Sequence, residues 1–174
     1  MISADGYFEG RDNDISWHNV DDEVNDFFIE QMKNSDTILF GRKTFEVMEN
    51  FWPAKKAFAT DPIVATMMSR FLKIVFSTTR NSSGWDNSKF INSNAPEEIK
   101  KLKLNTSKDI FVFGSSDFCK TLIKHELIDE FRLMVNPIIL GTGNPLFHTK
   151  MKWQLLKTRV FGNGNALLCY MKTI

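Results

Sequence analysis

The sequence predicts one α/β domain over residues 1–174: a mixed, mainly parallel sheet between helices on both faces, three layers in all, closed by a C-terminal antiparallel hairpin. Three observations predict it. Short apolar runs at 37–40, 72–76 and 109–113 are separated by stretches of helical period, as expected of parallel strands buried on both faces. Beyond residue 130 the pattern changes to long strand-like stretches joined by a glycine turn. The chain's 174 residues, 43% hydrophobic and 25% charged, make one ordinary globular domain. Such a domain buries about two-thirds of its unfolded surface without staples.

Each element has a local cause. Ile2-Ser3-Ala4-Asp5-Gly6 reads as a strand end entering a turn, because Asp-Gly supplies a positive-φ position. Residues 21–34 carry Val24, Phe27, Phe28, Ile29 and Met32 at helical spacing, with acids at the start where the helix dipole favours them. The strand at 37–40 stops at Gly41, and 42–50 reads as a second helix. Asp61 is the N-cap and Pro62 the first residue of a helix over 61–70. The strand at 72–76 runs into Ser77-Thr78-Thr79, and Phe90-Ile91 make a weak strand. Ser93-Asn94 before Ala95-Pro96-Glu97-Glu98 starts a helix towards Leu104. The strand at 109–113 ends at Gly114-Ser115-Ser116, and a helix follows over 117–125. A strand over 131–140 contains Pro137 and leads to the loop Gly141–Pro145. Strands at 153–161 and 166–171 then flank the turn Gly162-Asn163-Gly164.

Composition excludes several function classes. Twenty-two basic against 21 acidic residues leave a net charge of +1, so no overall field favours nucleic acid or an anionic membrane surface. No apolar run approaches the ~18 residues of a membrane helix. The start lacks a basic-then-apolar leader, and the chain reads as cytoplasmic. Cys119 and Cys169 lie far apart in apolar surroundings and read as buried free thiols. Three histidines without ligand spacing give no metal site. Sixteen phenylalanines point to a well-filled core or an apolar pocket.

Three strand ends share one design. Phe40-Gly41-Arg42-Lys43-Thr44, Phe76-Ser77-Thr78-Thr79-Arg80 and Phe113-Gly114-Ser115-Ser116 each turn from a buried strand into small or hydroxyl residues, directly or nearly directly before a helix. In open α/β sheets ligands bind beyond the carboxyl ends of the strands, and helix N-termini there seat phosphates. One such end is ordinary turn chemistry; three, two of them with an arginine, point to a nucleotide. Neither Gly-x-Gly-x-x-Gly nor a Walker lysine loop occurs, which disfavours an ordinary Rossmann domain and an ATPase.

The segment Leu39-Phe40-Gly41-Arg42-Lys43-Thr44-Phe45-Glu46 resembles the strand-and-helix signature of dihydrofolate reductases, as do Ile74–Ser77 and Phe111–Ser116. The chain is more similar still to the C-terminal reductase domain of bifunctional riboflavin-biosynthesis proteins, a group with the dihydrofolate reductase-like fold. That similarity runs through Ile2–Phe8, Phe113–Phe118, Leu127-Ile128-Asp129-Glu130, Asn136–Gly143 and Leu146-Phe147, nearly the whole chain. The resemblance implies NADPH across the strand ends. Gly41, Arg42 and Thr44 would hold the pyrophosphate; Ser77, Thr78 and Arg80 would face the adenosine side, where a guanidinium suits the 2′-phosphate. Gly114, Ser115 and Ser116 would pass under the nicotinamide or pyrophosphate.

For catalysis the resemblance points to Asp5, which faces substrate in the riboflavin-type reductases; a turn-forming Asp-Gly is an equally good reading. Trp17, in the loop after that turn, could stack on a flat heterocycle or cover a core edge. His18 reads as a surface loop residue. Asn25 stands sixteen positions before Gly41, where dihydrofolate reductases carry a carboxylate, which points away from dihydrofolate as substrate. The expected activity is NADPH-dependent hydride transfer to a small pyrimidine- or pteridine-like substrate of the 5-amino-6-(5-phosphoribosylamino)uracil type. The alternative is a nucleotide- or small-molecule-binding protein that keeps the fold without the chemistry. The apolar strands at 131–140 and 166–171 suit a homodimer. Relatives place a full strand before their Ser-x-Asp-Gly, so a first strand shortened by about six to eight residues is expected here.

Overall fold

The computed structural model describes residues 1–114 and 116–172. The elements run β1 (Ile2–Ser3), β2 (Tyr7–Glu9), a 3-10 turn at Arg11–Asn13, α1 (Asp22–Met32), β3 (Ser35–Gly41), α2 (Arg42–Phe51), α3 (Lys55–Thr60) and α4 (Pro62–Arg70). They continue with β4 (Leu72–Phe76), β5 (Ser88–Ile91), α5 (Ala95–Leu104), β6 (Asp109–Val112), α6 (Ser116–Lys124), β7 (Glu130–Asn136), β8 (Asn144–Pro145), β9 (Trp153–Val160) and β10 (Ala166–Lys172). The architecture is mixed α/β, and the backbone groups into two compact units: Met1–Asp26 with Cys119–Ile174, and Phe27–Phe118.

The second unit holds a wholly parallel sheet in the order β5-β4-β3-β6. Its strands are apolar without alternation because both faces are covered. On one face Ile38, Phe40 and Val75 join Phe45 of α2 and Val64 and Met68 of α4 in a buried cluster closed by Met32, Phe71 and Trp85. Phe45 is fully buried, with the rings of Phe40, Trp85 and Phe90 at 5.9, 5.6 and 5.4 Å. On the opposite face Phe76 stacks on Phe118 of α6 at 5.1 Å. The Asp61 cap is present, its Oδ1 accepting from Val64 N at 3.0 Å.

One lysine lies inside this core. Lys73 of β4 is fully buried, and its Nζ donates to the carbonyls of Met68 and Phe71 at 2.8 Å each and of Ser69 at 3.3 Å. The ammonium thus caps carbonyls at the C-terminal end of α4 and sits 4.6 Å over the Trp85 ring. Burial pushes Lys73 down to about 8, against the pull of Asp86.

The first unit holds the mixed sheet β1-β7-β10-β9, parallel only between β1 and β7, and the small antiparallel pair β2-β8. The C-terminal hairpin is β9–β10, as expected from its glycine turn. Two differences from the sequence reading have local causes. Strand β7 ends at Asn136, because Pro137 cannot donate to a ladder and Ile138 N turns back to Asn136 O at 2.8 Å. Strands β2 and β8 and helix α3, two to six residues long, are too short to carry a periodicity in the sequence. Cys119 and Cys169 are free thiols, with Cys169 buried and Cys119 partly so.

Candidate functional site

The strand ends that suggested a nucleotide lie on one edge of the parallel sheet. Gly41 pairs with Phe76 and Leu39 with Val112, so β3, β4 and β6 end at nearly the same level. From β3 the chain steps outward to β4 and β5, then returns to β6 on the other side. The strand order therefore reverses between β3 and β6, the kind of crevice where open α/β sheets bind ligands.

Gly41 ends β3 in an extended conformation (φ −78°, ψ 155°) and stands at the N-cap of α2, where no side chain caps the helix and no acid occupies its first turn. The free N–H groups and dipole of that terminus favour an anion. Thr44 is half-buried in the same turn. Gly114 adopts φ 65°, a left-handed conformation that glycine takes without strain. Helix α6 begins at Ser116, with Asp117 in its first turn. Ser115 and the Ser116 side chain lie outside the described residues.

After β4, Ser77 is buried and its Oγ accepts from Arg80 N at 2.9 Å and Thr79 N at 3.3 Å, with Thr78 exposed at the tip of the turn. This hydroxyl shapes the loop from within. Arg80 is held on every side. Its Nη1 and Nη2 donate to Glu49 at 2.8 and 2.9 Å, its Nε to Ser82 O at 2.9 Å, and its guanidinium lies over the rings of Phe45 and Phe90. Glu49 also accepts from Ser83 Oγ. These bonds, Arg80 foremost, hold the Glu49 carboxyl below its ordinary value. Arg42 pairs with Glu46 one turn on, at 2.9–3.0 Å. The Arg42–Glu46 spacing is visible in the sequence as an i, i+4 pair; Glu49, 31 residues from Arg80, has no such signal.

Asp5 and Trp17 belong to the first unit. The Asp5 carboxylate accepts from Ser3 Oγ at 2.6 Å, Gly141 N at 2.8 Å and Leu140 N at 3.2 Å. It ties the first turn to the loop after β7. The Ser3 hydrogen bond is the chief reason its carboxyl lies below the ordinary value, with the two backbone N–H groups adding to it. Trp17 Nε1 donates to Asp14 O at 3.0 Å, and the ring meets His18 edge to face at 4.5 Å. Burial lowers the His18 imidazole to about 4, and its Nε2 is enclosed with no hydrogen-bond partner among the described residues.

A polar cleft of about 330 Å³ in the same unit has no signal in the sequence. Residues 10–13 line one side and 142–144 the other, and Arg11 Nε donates across it to Thr142 Oγ1 at 3.0 Å. Gly143 has φ +151° and packs so closely that a Cβ would stand 2.2 Å from Glu9 O. Among the described residues no group of three or more His, Cys, Asp or Glu side chains is placed to hold a metal, and no helix is long and apolar enough to cross a membrane.

Comparison with known proteins bears on the fold and the family. The Bacillus subtilis protein YyaP is 34% identical over 173 residues, covering 97% of this chain and 90% of its own. A solved Shewanella sp. PV-4 protein named for riboflavin biosynthesis superposes with a TM-score of 0.75 at 21% identity, over 99% of this chain and 96% of that one. The Thermotoga maritima diaminohydroxyphosphoribosylaminopyrimidine deaminase/5-amino-6-(5-phosphoribosylamino)uracil reductase gives a TM-score of 0.68 at 14% identity, with this chain spanning 54% of its length. At these identities the two structures share the fold. The family model of the RibD C-terminal domain matches residues 1–167, and the chain belongs to that family.

Proposed function

We propose that the protein is a reductase that binds a reduced nicotinamide dinucleotide along the edge formed by Gly41, Ser77 and Gly114 and passes hydride to a small, flat, pyrimidine-type substrate. The observation that carries the reading is the convergence of three parallel strand ends on one edge, with the uncapped N-terminus of α2 at its reversal point, in a RibD C-terminal family member. NADPH is the dinucleotide that the resemblance implies; the pyrophosphate seat suits NADPH and NADH alike.

The edge fits such a group. The first turn of α2 would hold the pyrophosphate, with Arg42 turning from Glu46 to meet it and Thr44 beside it. Gly114 allows close approach of the backbone. When bound, the dihydronicotinamide supplies two electrons and a hydrogen as hydride. Neither Asp5 nor His18 carries a proton ready to give at neutral pH: Asp5 is held ionised by Ser3, Leu140 and Gly141, and His18 is held neutral by burial. We assign Asp5 to shaping the turn that carries it, Trp17 to offering a ring face, and protonation to water.

The test is a titration of purified protein with NADPH and NADH, followed by cofactor fluorescence, then oxidation assays with ribosylamino-pyrimidine and pterin substrates. Binding in the micromolar range with substrate-dependent oxidation is expected. No binding of either cofactor at millimolar concentration overturns the reading.

A second reading, binding without chemistry, is favoured by the commitment of Asp5 to three loop hydrogen bonds. Cofactor binding with no oxidation, unchanged in Asp5→Ala, would select it. We further propose a homodimer through the face of the β7-β10-β9 sheet bearing Leu133, Leu168, Leu155 and Val160. The last two are 49% and 76% exposed. Light scattering that returns a monomer at micromolar concentration would remove it.

A further inference from the structure

The turn between β9 and β10 joins a reactive pair of residues to a polar grip on the N-terminal loop. It contains Asn163-Gly164, and no other asparagine of the chain precedes a glycine. An asparagine in that position is open to attack by its own backbone, because glycine has no Cβ to shield its amide nitrogen. Asn163 is half-buried and Gly164 exposed, so water and base reach the pair.

The hydrogen bonds of the turn bear on that reactivity. Asn163 Oδ1 accepts from Asn165 N at 3.0 Å. Negative charge develops on this oxygen when the carbon that carries it is attacked, and an N–H already in place stabilises that charge. Gly164 N donates to Phe161 O at 3.0 Å, which opposes the attack. At an exposed hairpin tip such a bond opens at little cost.

The same turn grips Asn19. Asn19 Nδ2 donates to Asn163 O at 3.0 Å, and Asn19 O accepts from Asn163 Nδ2 at 3.3 Å and from Asn165 Nδ2 at 2.6 Å. Trp17 and His18 directly precede the residue that is held.

We propose that Asn163 is a site of spontaneous deamidation in the folded protein, and that the modification loosens the hairpin's hold on the loop carrying Trp17 and His18. The Gly164 amide gives its proton to base, and its nitrogen bonds to Asn163 Cγ. The Cγ–Nδ2 bond breaks, ammonia leaves with the proton it needs, and a cyclic imide remains. Water then adds to either imide carbonyl and opens the ring, to aspartate or to isoaspartate. Nothing is oxidised or reduced, and water is the sole co-reactant.

Either product weakens the grip. A carboxylate in place of the Asn163 amide turns an acceptor towards Asn19 O. It also adds charge to a turn in which the Glu23 carboxylate already accepts from Gly162 N at 2.8 Å. Isoaspartate routes the main chain through the former side chain and displaces Gly164, where even an added Cβ would lie 3.3 Å from Pro137 Cγ. This chemistry is independent of any dinucleotide at the strand ends of the other unit.

The experiment holds the purified full chain at mildly alkaline pH over weeks and samples it by peptide mass mapping, with isoaspartyl methyltransferase labelling. Modification at Asn163 should exceed that at every other asparagine at least tenfold, with isoaspartate among the products. Its rate should lie within about tenfold of that of the same chain in denaturant, because the turn opens locally. Asn163→Gln, which would have to close a larger ring, should abolish it. Hydrogen exchange of residues 17–20 should quicken at least threefold in the modified fraction and in Asn163→Asp, with thermal melts confirming that both remain folded. Asparagines modified at similar rates, aspartate without isoaspartate, or protection of Asn163 by folding of more than a hundredfold would each overturn the site. Exchange left unchanged in the modified wild-type fraction would overturn the loosening of the loop, whether or not the variant folds.

Discussion

In the second unit the turns after β3 and β6 are made by the backbones of Gly41 and Gly114, above strands packed with apolar side chains on both faces. In the first unit the turns are tied down by polar side chains. Asp5 reaches Leu140 and Gly141; Asn136 accepts from Asn19 N at 2.8 Å; Asn165, fully buried, donates to Asn19 O at 2.6 Å; and Glu23 accepts from Arg159 and Gly162. The difference has a physical cause. A parallel sheet covered on both faces gains rigidity from burial, which leaves N–H groups at its edge available for a ligand. A mixed sheet with exposed loops has less apolar surface to use, and its carboxylates and amides hold the chain instead. Polar groups of the first unit are thus largely engaged before any substrate arrives, whereas the second unit keeps an uncapped helix terminus.

Four perturbations test this contrast, in falling order of expected effect. Phe45→Ala removes a fully buried ring that touches three others and should cost about 3–5 kcal/mol in denaturant unfolding. A loss below about 1 kcal/mol would mean that the second unit does not depend on its apolar core. Asn136→Ala strands Asn19 N and the carbonyls of Ile2 and Met134, and should cost about 1–3 kcal/mol. Asn136→Leu should do no better if hydrogen bonding, rather than volume, holds the first unit.

Acid gives the third test. His18 is lowered to about 4, chiefly by burial, from an ordinary value of 6.5. Between those values the unfolded chain takes up a proton that the folded chain refuses. Stability from this group is therefore full above about 6.5 and declines as pH falls towards 4. The melting temperature should drop over that window, and His18→Gln should flatten the drop; an unchanged slope would place the acid sensitivity elsewhere. Carboxylates such as Asp5, whose values lie below 3.8, act only at lower pH. Last, Arg42→Ala removes an exposed pair worth about 0.3–0.5 kcal/mol. It should scarcely move the melt while weakening dinucleotide binding at least tenfold. Equal losses in both would make Arg42 structural.

How far these features were legible in the sequence depended on how local they are. Ile38, Leu39 and Phe40 before Gly41 announce a buried strand and its stop, because composition and turn chemistry act within a few residues. The Asp61–Pro62 helix start was readable for the same reason. By contrast, Tyr7–Glu9 becomes a strand only because Asn144–Pro145 comes alongside it, and neither segment carries a periodicity long enough to detect. Glu49 was invisible as a partner of Arg80 for the same cause: α2 and the loop after β4 meet through the fold, not through the sequence. Asp5 was singled out by resemblance and its turn by chemistry, yet its three hydrogen-bond donors come partly from residues 135 positions away.

Lys73 leads to a measurement of a different kind. An ammonium with no exposed surface cannot react with an acylating reagent until the strand that carries it opens. The other lysines acquire label at rates set by solvent, but Lys73 should acquire it at a rate set by the opening equilibrium of β4 against α4. Followed by peptide mass spectrometry at low reagent concentration, that one site becomes a built-in clock for excursions of the parallel sheet. A ligand seated on the strand ends above it should slow the clock by the factor with which it stabilises the closed state.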